Sequence, residues 1–424
     1  MSESDARLNE ISRNESILGL ERITELLRLM GEPQNSIPIV HVAGTNGKGS
    51  FTAMLAAILK EAGLRVGTFT SPAITGSCDS FRVGGATVSE DELDGILASI
   101  EPFASRMMDK PTQFEVMTAA AFELFRREEC DMAIVECGLG GDGDSTNVIE
   151  KPLLSVITNV ELDHTDRLGS TIAEIAGHKA GIIKRECPVL FGGESEEAFE
   201  VIAHRSELLN ASLHRTDLRR LKVEKMSLDG TDIGFEGFGS LRVGLLGAYQ
   251  PKNAANVLSA VELLREKGIR ISDEAVAEGL RNARWQARFE VLSESPRIIF
   301  DGSHNPDGVA LAARSIDELL NGRAVLLMGV MADKDYECYP ALLKNRAVKV
   351  FCVKPDNPRA LQADILAQVF VKNGIDAEAF ECFDDGVSAA CDFAKQNDMP
   401  LLAMGTLYMY EQFTSALEKT IIDG

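Results

Sequence analysis

The sequence predicts an α/β fold made of two domains, each with a parallel sheet that helices cover on both faces. Short apolar runs alternate with longer segments of helical periodicity, which is the pattern of parallel α/β sheets. The alternation changes at residues 220–246, where short glycine-containing segments favour a small antiparallel sheet, and it breaks at residues 283–296 before it resumes. A chain of 424 residues is long enough for two or three domains. We therefore predict an N-terminal domain at residues 1–286 and a C-terminal domain at residues 287–424.

In the N-terminal domain, the periodicity predicts a first helix at residues 16–31, which Gly31 and Pro33 end. Short buried strands are predicted at residues 37–42, 66–69, 132–136, 154–158 and 188–191. Further helices are predicted at residues 50–62, 89–108, 114–129, 171–184, 251–268 and 272–282.

The C-terminal domain repeats the alternation with its own set of elements, which indicates a second sheet. Strands are predicted at residues 297–301, 323–329, 348–353, 377–381 and 400–404. Helices are predicted at residues 307–320, 336–345, 361–373, 385–397 and 409–419.

The composition argues against several classes of function. A net charge of −22 opposes nucleic-acid binding, which needs a basic surface, but it does not oppose small anionic ligands. The eight cysteines form no C-x-x-C pair, so we expect neither a zinc site nor a disulfide framework. No run of 18 apolar residues indicates a membrane span, and the N-terminal residues lack an apolar signal region. We expect a soluble cytoplasmic protein that binds neither nucleic acid nor membrane.

The strongest local signal is the segment HVAGTNGKGS at residues 41–50, which joins a predicted strand to a predicted helix. A glycine loop at a helix N-terminus forms an anion site, where Lys48 would neutralise phosphate charge and Ser50 would reach magnesium. Compared with the usual phosphate loop, Gly49 is inserted between lysine and hydroxyl, and Val42 replaces the first glycine. The alternative is a glycine turn that only joins the strand to the helix.

Two further segments of the N-terminal domain carry polar side chains after predicted strands, where α/β sheets bind ligands. Glu136 ends a strand and precedes the segment CGLGGDGDSTN, whose oxygen atoms suit magnesium. Asp163 and His164 follow the next strand, and Lys179 lies in the helix after them. The alternatives are a glycine-rich surface turn, a structural histidine and a solvated lysine.

The C-terminal domain opens with the segment FDGSHNPDG. Asp301 ends its first strand, and His304 and Asn305 lie on the turn that follows, where their side chains would face a ligand. The alternative is an Asn-Pro/Asp-Gly turn that only connects strand and helix.

Taken together and in this order, these segments resemble the folylpolyglutamate synthase/dihydrofolate synthase family of the Mur ligase superfamily. The resemblance covers nearly the whole chain and is carried by LGLERITELLRLMG, HVAGTNGKGS, TSP, TQFEVMTAAAF, VECGLGGDGDSTNVI, VITNVELDHTDRLGSTIAEIAGHKAGIIK, LGAYQPKNAANVLSAV, ARFE, FDGSHNPDG, MGVMADKD and GTLY. It implies a P-loop ATPase-like parallel-sheet domain followed by a smaller Rossmann-like α/β domain, which would act as the glutamate ligase domain.

The resemblance also implies the residues of an active site that uses ATP and two Mg²⁺ ions. The residues implied to bind ATP are Gly44, Thr45, Asn46, Gly47, Lys48, Gly49, Ser50, Asn253, Arg288 and Asp301, with Asp301 at the ribose. The residues implied to hold metal are Ser50, Ser71 and Glu136 for one ion, and Glu136, His164 and a carbamylated Lys179 for the other. The implied catalytic residues are Lys48, Lys179 and His304, with His304 near the transferring phosphoryl group.

The reaction that the resemblance implies is ligation of L-glutamate to a folate through an acyl phosphate, with release of ADP and phosphate, by a monomer. Dihydropteroate is an acceptor that the sequence does not separate from folate. The chain departs from the family in loops that would meet the acceptor, at Ala73, Asp79-Ser80, Asp142 and Tyr249. Two alternatives therefore stay open: an amide ligase for another carboxylate, and a nucleotide-binding relative without ligase activity.

Overall fold

The structure is a computed structural model that describes residues 3–13 and 17–423, with side chains described as far as residue 420. The chain divides into two compact units. The first consists of Met1–Leu221, Phe235–Leu241 and Lys252–Ala283, and the second of Lys222–Gly234, Arg242–Pro251 and Arg284–Gly424. The second unit includes two early segments that the sequence analysis places in the N-terminal domain. The boundary between residues 286 and 287 stays a prediction.

Strands and helices alternate through most of both units. The strands are β1 (Ile39–Ala43), β2 (Val66–Phe69), β3 (Phe81–Val83), β4 (Ala86–Thr87), β5 (Met132–Glu136), β6 (Leu154–Ile157), β7 (Val189–Phe191), β8 (Leu213–Arg215), β9 (Leu221–Ser227), β10 (Gly230–Phe235), β11 (Gly239–Val243), β12 (Glu290–Glu294), β13 (Arg297–Asp301), β14 (Ala324–Met328), β15 (Ala347–Cys352), β16 (Ala377–Ala379) and β17 (Leu401–Met404). The α-helices are α1 (Glu3–Ile11), α2 (Glu21–Leu29), α3 (Lys48–Glu61), α4 (Glu90–Ala104), α5 (Gln113–Arg127), α6 (Thr165–Leu168), α7 (Ile172–Ala180), α8 (Glu196–Leu208), α9 (Gln250–Glu266), α10 (Asp273–Asn282), α11 (Pro306–Leu319), α12 (Tyr339–Leu343), α13 (Ala363–Lys372), α14 (Phe383–Gln396) and α15 (Tyr410–Asp423).

An eight-stranded sheet forms the centre of the first unit, in the order β4-β3-β2-β5-β1-β6-β7-β8. Neighbouring strands run parallel from β2 to β8, whereas β3 and β4 are antiparallel at one edge. Every residue of β1 and β5 is buried, as expected of parallel strands covered on both faces. The register sets Glu136 beside Val42 and Val42 beside Val156. The carboxyl ends of β5, β1 and β6 are therefore level at one edge of the sheet.

Helices bury the two faces of this sheet. Phe122 and Phe125 of α5 belong to a hydrophobic core that also includes residues of α2 and α4. Ile175 of α7 belongs to a second core with residues of β7 and α8. Helix α10 packs closely on α3, because a methyl group at Gly279 would overlap the backbone of Ile58. Helix α3, which follows the glycine loop, therefore packs between the sheet and α10.

The second unit has a six-stranded sheet in the order β12-β13-β17-β14-β15-β16. Its strands are parallel except β12, which pairs antiparallel with β13. Phe289, Tyr339 and Phe370 are among the largest fully buried side chains of its core. A separate three-stranded sheet, β11-β10-β9, forms where the sequence changes character at residues 220–246.

The α/β fold class is confirmed, and each predicted strand is present within two residues of its predicted bounds. Several helices differ from their predicted bounds: α4 stops at Ala104 and α7 at Ala180, α12 is only Tyr339–Leu343, and α15 runs on to Asp423. Helix α7 stops where Gly181 packs against Asp142, and the carbonyl of Gly181 accepts a hydrogen bond from Asn147 Nδ2 at 3.3 Å. The first predicted helix is also shorter, with α2 beginning at Glu21, and residue 16 lies outside the described residues. Across the described ranges, no helix is both long and apolar enough to cross a membrane.

Candidate active site

The glycine loop connects β1 to α3 at the carboxyl edge of the large sheet. Gly47 precedes the helix in a left-handed conformation, with φ 85°, and α3 begins at Lys48. A side chain at Gly47 would meet Asn253, since an added Cβ would lie 2.6 Å from Asn253 Oδ1. The loop therefore passes close to α9, and the N–H groups of the first turn of α3 face outward at the helix N-terminus. This arrangement suits a phosphate group.

Thr158 and Asn159, which directly follow β6, hold the glycine loop in place. Neither is among the site residues predicted from the sequence. Asn159 accepts two backbone hydrogen bonds, from Thr45 N to its carbonyl at 3.1 Å and from Asn46 N to Oδ1 at 2.7 Å. Thr158 Oγ1 donates to the carbonyl of Asn46 at 2.7 Å. A Cβ at Gly44 would overlap Thr158 Oγ1, which explains the glycine there. Thr158 and Asn159 both belong to the segment VITNVELDH at residues 156–164, which begins inside β6, the strand beside β1, and which carries part of the family resemblance.

Lys48 and Glu136 lie together at this edge. Lys48 Nζ donates to the carbonyls of Gly44 at 3.0 Å and Thr45 at 3.2 Å, and it is 3.9 Å from Glu136 Oε1. Glu136 is buried because it ends β5 between β1 and β2. A buried carboxylate so close to an ammonium group is a strong electrostatic feature of the site.

The two predicted serine ligands lie near this carboxylate in the fold. Ser50 is buried in the first turn of α3. Ser71 follows β2, whose last residue, Phe69, is paired with Val135 of β5. The register therefore places Ser71 just beyond the level of Glu136, one strand away.

Lys179 is buried near the end of α7, with 3% of its surface exposed. Its helix packs on the glycine-rich segment after β5, since a Cβ at Gly141 would lie 3.0 Å from Lys179 Cα. Burial lowers the pKa of Lys179 to about 7, the charge of Lys48 acts in the same direction, and the charge of Asp163 opposes both. The two lysines and Asp163 are thus near enough to influence one another. A neutral amine, which is the form that reacts with carbon dioxide, is accessible at Lys179 near neutral pH.

His164 precedes α6 and has φ 49°, which is uncommon for a residue other than glycine. Asp163 Oδ1 accepts the His164 N–H at 2.9 Å and helps to hold this turn. Within residues 3–13 and 17–423, no three His, Cys, Asp or Glu side chains gather closely enough to hold a metal ion. Serine and carbamylated lysine are not among these four residue types. Magnesium also keeps several waters and therefore needs few protein ligands. The buried Glu136 carboxylate and Ser50 hydroxyl supply oxygen atoms of the kind that magnesium binds, and Lys179 would supply more only once it is carbamylated.

In the second unit, the carboxylate of Asp301 is buried and accepts several hydrogen bonds. Its donors are Tyr249 Oη at 2.7 Å, Phe289 N at 2.9 Å, Ser303 N at 3.0 Å and Ser303 Oγ. The family resemblance implies a ribose contact for Asp301, and in the fold this carboxylate also connects the backbone at Phe289 and Ser303 to the hydroxyl of Tyr249. That connection was not apparent from the motif.

The turn after Asp301 orients His304. His304 Nδ1 is 2.9 Å from the carbonyl of Gly302, and because a carbonyl only accepts, Nδ1 carries the proton and Nε2 is the acceptor nitrogen of the neutral ring. Asn305 Oδ1 accepts the N–H of Gly308 at 2.8 Å and caps α11. The side chain of Asn305 therefore has the structural role that the sequence analysis considered as the alternative for this turn.

Two of the residues at which the chain departs from the family pattern, Asp142 and Asp79, have polar partners. Asp142 Oδ1 is 2.9 Å from His178 Nδ1, one residue before Lys179. Asp79 Oδ2 accepts from Thr75 N at 2.7 Å. An acidic side chain at position 142 thus pairs with a histidine on α7.

His41 lies in β1 just before the glycine loop and is fully buried. Thr146 Oγ1 donates to Asp144 Oδ1 at 2.6 Å, so it accepts from His41 Nε2 at 2.8 Å. Burial, with a smaller effect of the charge on Lys184, lowers the pKa of His41 to about 3. The ring is therefore neutral in the folded protein at ordinary pH.

We expect His41 to make the folded protein less stable as the pH falls below 6.5. The unfolded chain protonates this ring near pH 6.5 and the folded protein only near pH 3, so the unfolded state binds more protons between these values. Because of His41, the free energy of unfolding should fall by up to about 1.4 kcal/mol for each unit by which the pH is lowered. Urea unfolding of wild type and His41→Asn between pH 6.5 and 5 measures the slope. Equal slopes in the two proteins would contradict a buried neutral His41.

Comparison with known proteins agrees with this arrangement over nearly the whole chain. The Mur ligase middle domain matches residues 42–264, and the glutamate ligase domain of Mur ligases matches residues 287–406. A dihydrofolate synthase/folylpolyglutamate synthase of Bacillus subtilis (strain 168) is 35% identical over 94% of this chain and 95% of its own length.

Solved structures of similar proteins have the same fold. A Mycobacterium tuberculosis folylpolyglutamate synthase complexed with ADP and AMPPCP superposes with a TM-score of 0.86 at 28% identity, covering 99% of both chains. E. coli FolC in complex with DHPP and ADP superposes with a TM-score of 0.84 at 31% identity, covering 99% of this chain and 97% of that one. With its glycine loop, its buried Glu136 and both matching domains, the chain belongs to the folylpolyglutamate synthase/dihydrofolate synthase family of Mur ligases, which are ATP-dependent ligases.

Proposed function

We propose that this chain joins L-glutamate to a folate in a reaction that consumes ATP and requires Mg²⁺. The observation that carries the proposal is the glycine loop at the start of α3, with Lys48 Nζ 3.9 Å from the buried Glu136 carboxylate. The family of the chain supports the same reaction. Free thiols at all eight cysteines agree with a reducing cytoplasm, where we propose that the protein acts as a monomer.

The proposed ATP contacts are the ones that the family resemblance implies. The proposed ligands of the nucleotide and its phosphates are Gly44, Thr45, Asn46, Gly47, Lys48, Gly49, Ser50, Asn253, Arg288 and Asp301. We propose His304 as the residue nearest the transferring phosphoryl group.

Two Mg²⁺ ions are proposed, the first held by Ser50, Ser71 and Glu136. The second would be held by Glu136, His164 and a carbamylated Lys179. When bound, these ions would neutralise charge on the phosphate oxygens. Carbamylation of Lys179 would replace a buried cation by an anion, and the burial of this side chain supports that modification.

The chemistry follows from charge balance. A carboxylate oxygen of the acceptor attacks the γ-phosphorus of ATP, the bond to ADP breaks, and an acyl phosphate forms. Lys48 would stabilise the negative charge that moves onto the phosphate oxygens, and Arg288 would assist. The amino group of L-glutamate then attacks the acyl carbon, loses a proton, and displaces inorganic phosphate to form the amide.

To identify the acceptor, we would measure phosphate release with Mg-ATP and L-glutamate, in separate reactions that contain either tetrahydrofolate or dihydropteroate. Mass spectrometry would then give the masses of the products. We expect a product heavier by one glutamyl residue, formed only when acceptor, ATP and glutamate are all present. A product with dihydropteroate as well would add dihydrofolate synthase activity. Phosphate release without a heavier product would contradict the ligation.

A second candidate is ligation of glutamate to a different carboxylate. The observation that favours it is the Asp142–His178 pair at 2.9 Å, which puts an acidic side chain where the family commonly has a basic one. Tight ATP binding with no product from either pteroate acceptor would support this candidate over the first.

A further inference from the structure

We propose that Tyr249 and Tyr410 are positioning residues for Arg288. Each tyrosine donates a hydrogen bond to a carboxylate, and that carboxylate holds the backbone N–H of one of the two residues next to Arg288. The proposal rests on the proposed contact of Arg288 with the nucleotide, and it assigns a role to a position, Tyr249, at which the chain departs from its family. Both tyrosines and Arg288 lie in the second unit.

The backbone around Arg288 is unusual. Ala287 and Phe289 both have positive φ angles, 56° and 46°, so a left-handed residue stands on each side of the arginine. Both side chains are fully buried, whereas Arg288 is partly exposed. Left-handed residues other than glycine persist only where surrounding contacts hold them, and they are frequent at ligand sites. The direction of the Arg288 side chain therefore depends on what holds these two neighbours.

The two neighbours are held in the same way. Phe289 N donates to Asp301 Oδ2 at 2.9 Å, and the same oxygen accepts from Tyr249 Oη at 2.7 Å. Ala287 N donates to Glu290 Oε2 at 2.7 Å, and that oxygen accepts from Tyr410 Oη at 2.9 Å. Each carboxylate oxygen thus joins one backbone N–H beside Arg288 to one tyrosine hydroxyl.

The guanidinium group lies against this framework. A Cβ at Gly302 would overlap Arg288 Nη1, so the group packs on the backbone directly after Asp301. Arg288 Nη1 also donates to the carbonyl of Ala287 at 3.2 Å, and Gly302 N donates to that carbonyl at 2.9 Å. A shift of the Asp301 or Glu290 carboxylate would therefore move the arginine.

Each tyrosine hydroxyl is held in place by its surroundings. Burial, together with the negative charge of Asp301, holds the pKa of Tyr249 well above its usual value, so the hydroxyl keeps its proton. Tyr410 is anchored by packing, with its ring 4.9 Å from that of Phe300 in an edge-to-face contact. Without the hydroxyl, the carboxylate oxygen loses one of its two described partners and is no longer held in one orientation.

The test measures AMPPCP binding by calorimetry, which needs no acceptor, for Tyr249→Phe, Tyr410→Phe and Arg288→Ala in the full chain. We expect each tyrosine variant to raise the Kd about tenfold with little change in melting temperature, because only a hydroxyl is removed. Tyr336→Phe is the matched control, since this ring packs on the core of the same unit, and its Kd should equal that of wild type.

The decisive comparison is the double variant with Arg288→Ala. If the tyrosines act through Arg288, Tyr410→Phe should have no further effect on the Kd once the arginine is absent, because its partner Glu290, unlike Asp301, is not a proposed nucleotide ligand. Wild-type affinity in both single variants, or the same tenfold loss when Tyr410→Phe is added to Arg288→Ala, would overturn the proposal. An unchanged Kd for Arg288→Ala alone would instead remove the proposed nucleotide contact on which it rests.

Discussion

Replacing Lys48 with alanine is expected to lower turnover by at least roughly 10³-fold while the protein stays folded. Lys48 is the first residue of α3, and its Nζ lies over the glycine loop, 3.0 Å from the carbonyl of Gly44. The ammonium group is placed to meet charge that develops on phosphate oxygens, and alanine removes that charge without filling space. The measurement is phosphate release with saturating ATP, together with the melting temperature.

Lys60→Ala is the matched control for this variant. Lys60 lies in the last turn of the same helix and is exposed, so the same substitution should leave turnover and stability unchanged. Loss of activity in both variants would point to damage to α3 rather than to the loop. Full activity in Lys48→Ala would contradict the phosphate-loop assignment.

Replacing Lys179 with alanine is expected to lower turnover by roughly 10²-fold or more, and short carboxylic acids such as acetate should restore part of it. The substitution removes the amine that would be carbamylated and leaves a buried space beside Gly141. A small carboxylate in that space could supply the negative charge and oxygen atoms of the missing carbamate. The measurement is turnover as a function of acid concentration at constant ionic strength.

The control for this rescue is Lys48→Ala, which the same acids should not restore because a carboxylate cannot replace a cation. Similar gains in both variants would indicate a general effect of the added anions. Wild-type turnover in Lys179→Ala without any acid would contradict the proposed carbamylation of Lys179.

Much of the fold was predictable because periodicity is a local property. The runs at residues 66–69 and 132–136 were predicted as buried strands and form β2 and β5 with the same bounds. Helix ends were less predictable where the end depends on a distant contact. After Ala180 the chain continues in i→i−3 turns as far as Ile183, and Gly181 packs there against Asp142, a contact that periodicity within the helix cannot reveal.

For the candidate site as well, local features were predictable from the sequence and contacts between distant residues were not. The loop at residues 44–50 was recognisable because glycines, lysine and hydroxyl follow one another between a strand and a helix. The support from Asn159 was not, because it is 113 residues from Asn46 along the chain, and only the pairing of β6 with β1 brings them together. The hydrogen bond from Tyr249 to Asp301 spans 52 residues and depends on packing within the second unit.

By itself, the sequence determined the α/β class, the order of the elements and the position of the glycine loop between β1 and α3, since each depends on residues close together in the chain. Only the tertiary structure decided that Glu136 is buried 3.9 Å from Lys48 and that Lys179 is enclosed. It also decided that two tyrosine-held carboxylates flank Arg288. Burial and hydrogen bonding between distant residues depend on how strands pair and helices pack, and this is why a linear pattern could name the residues but not their partners.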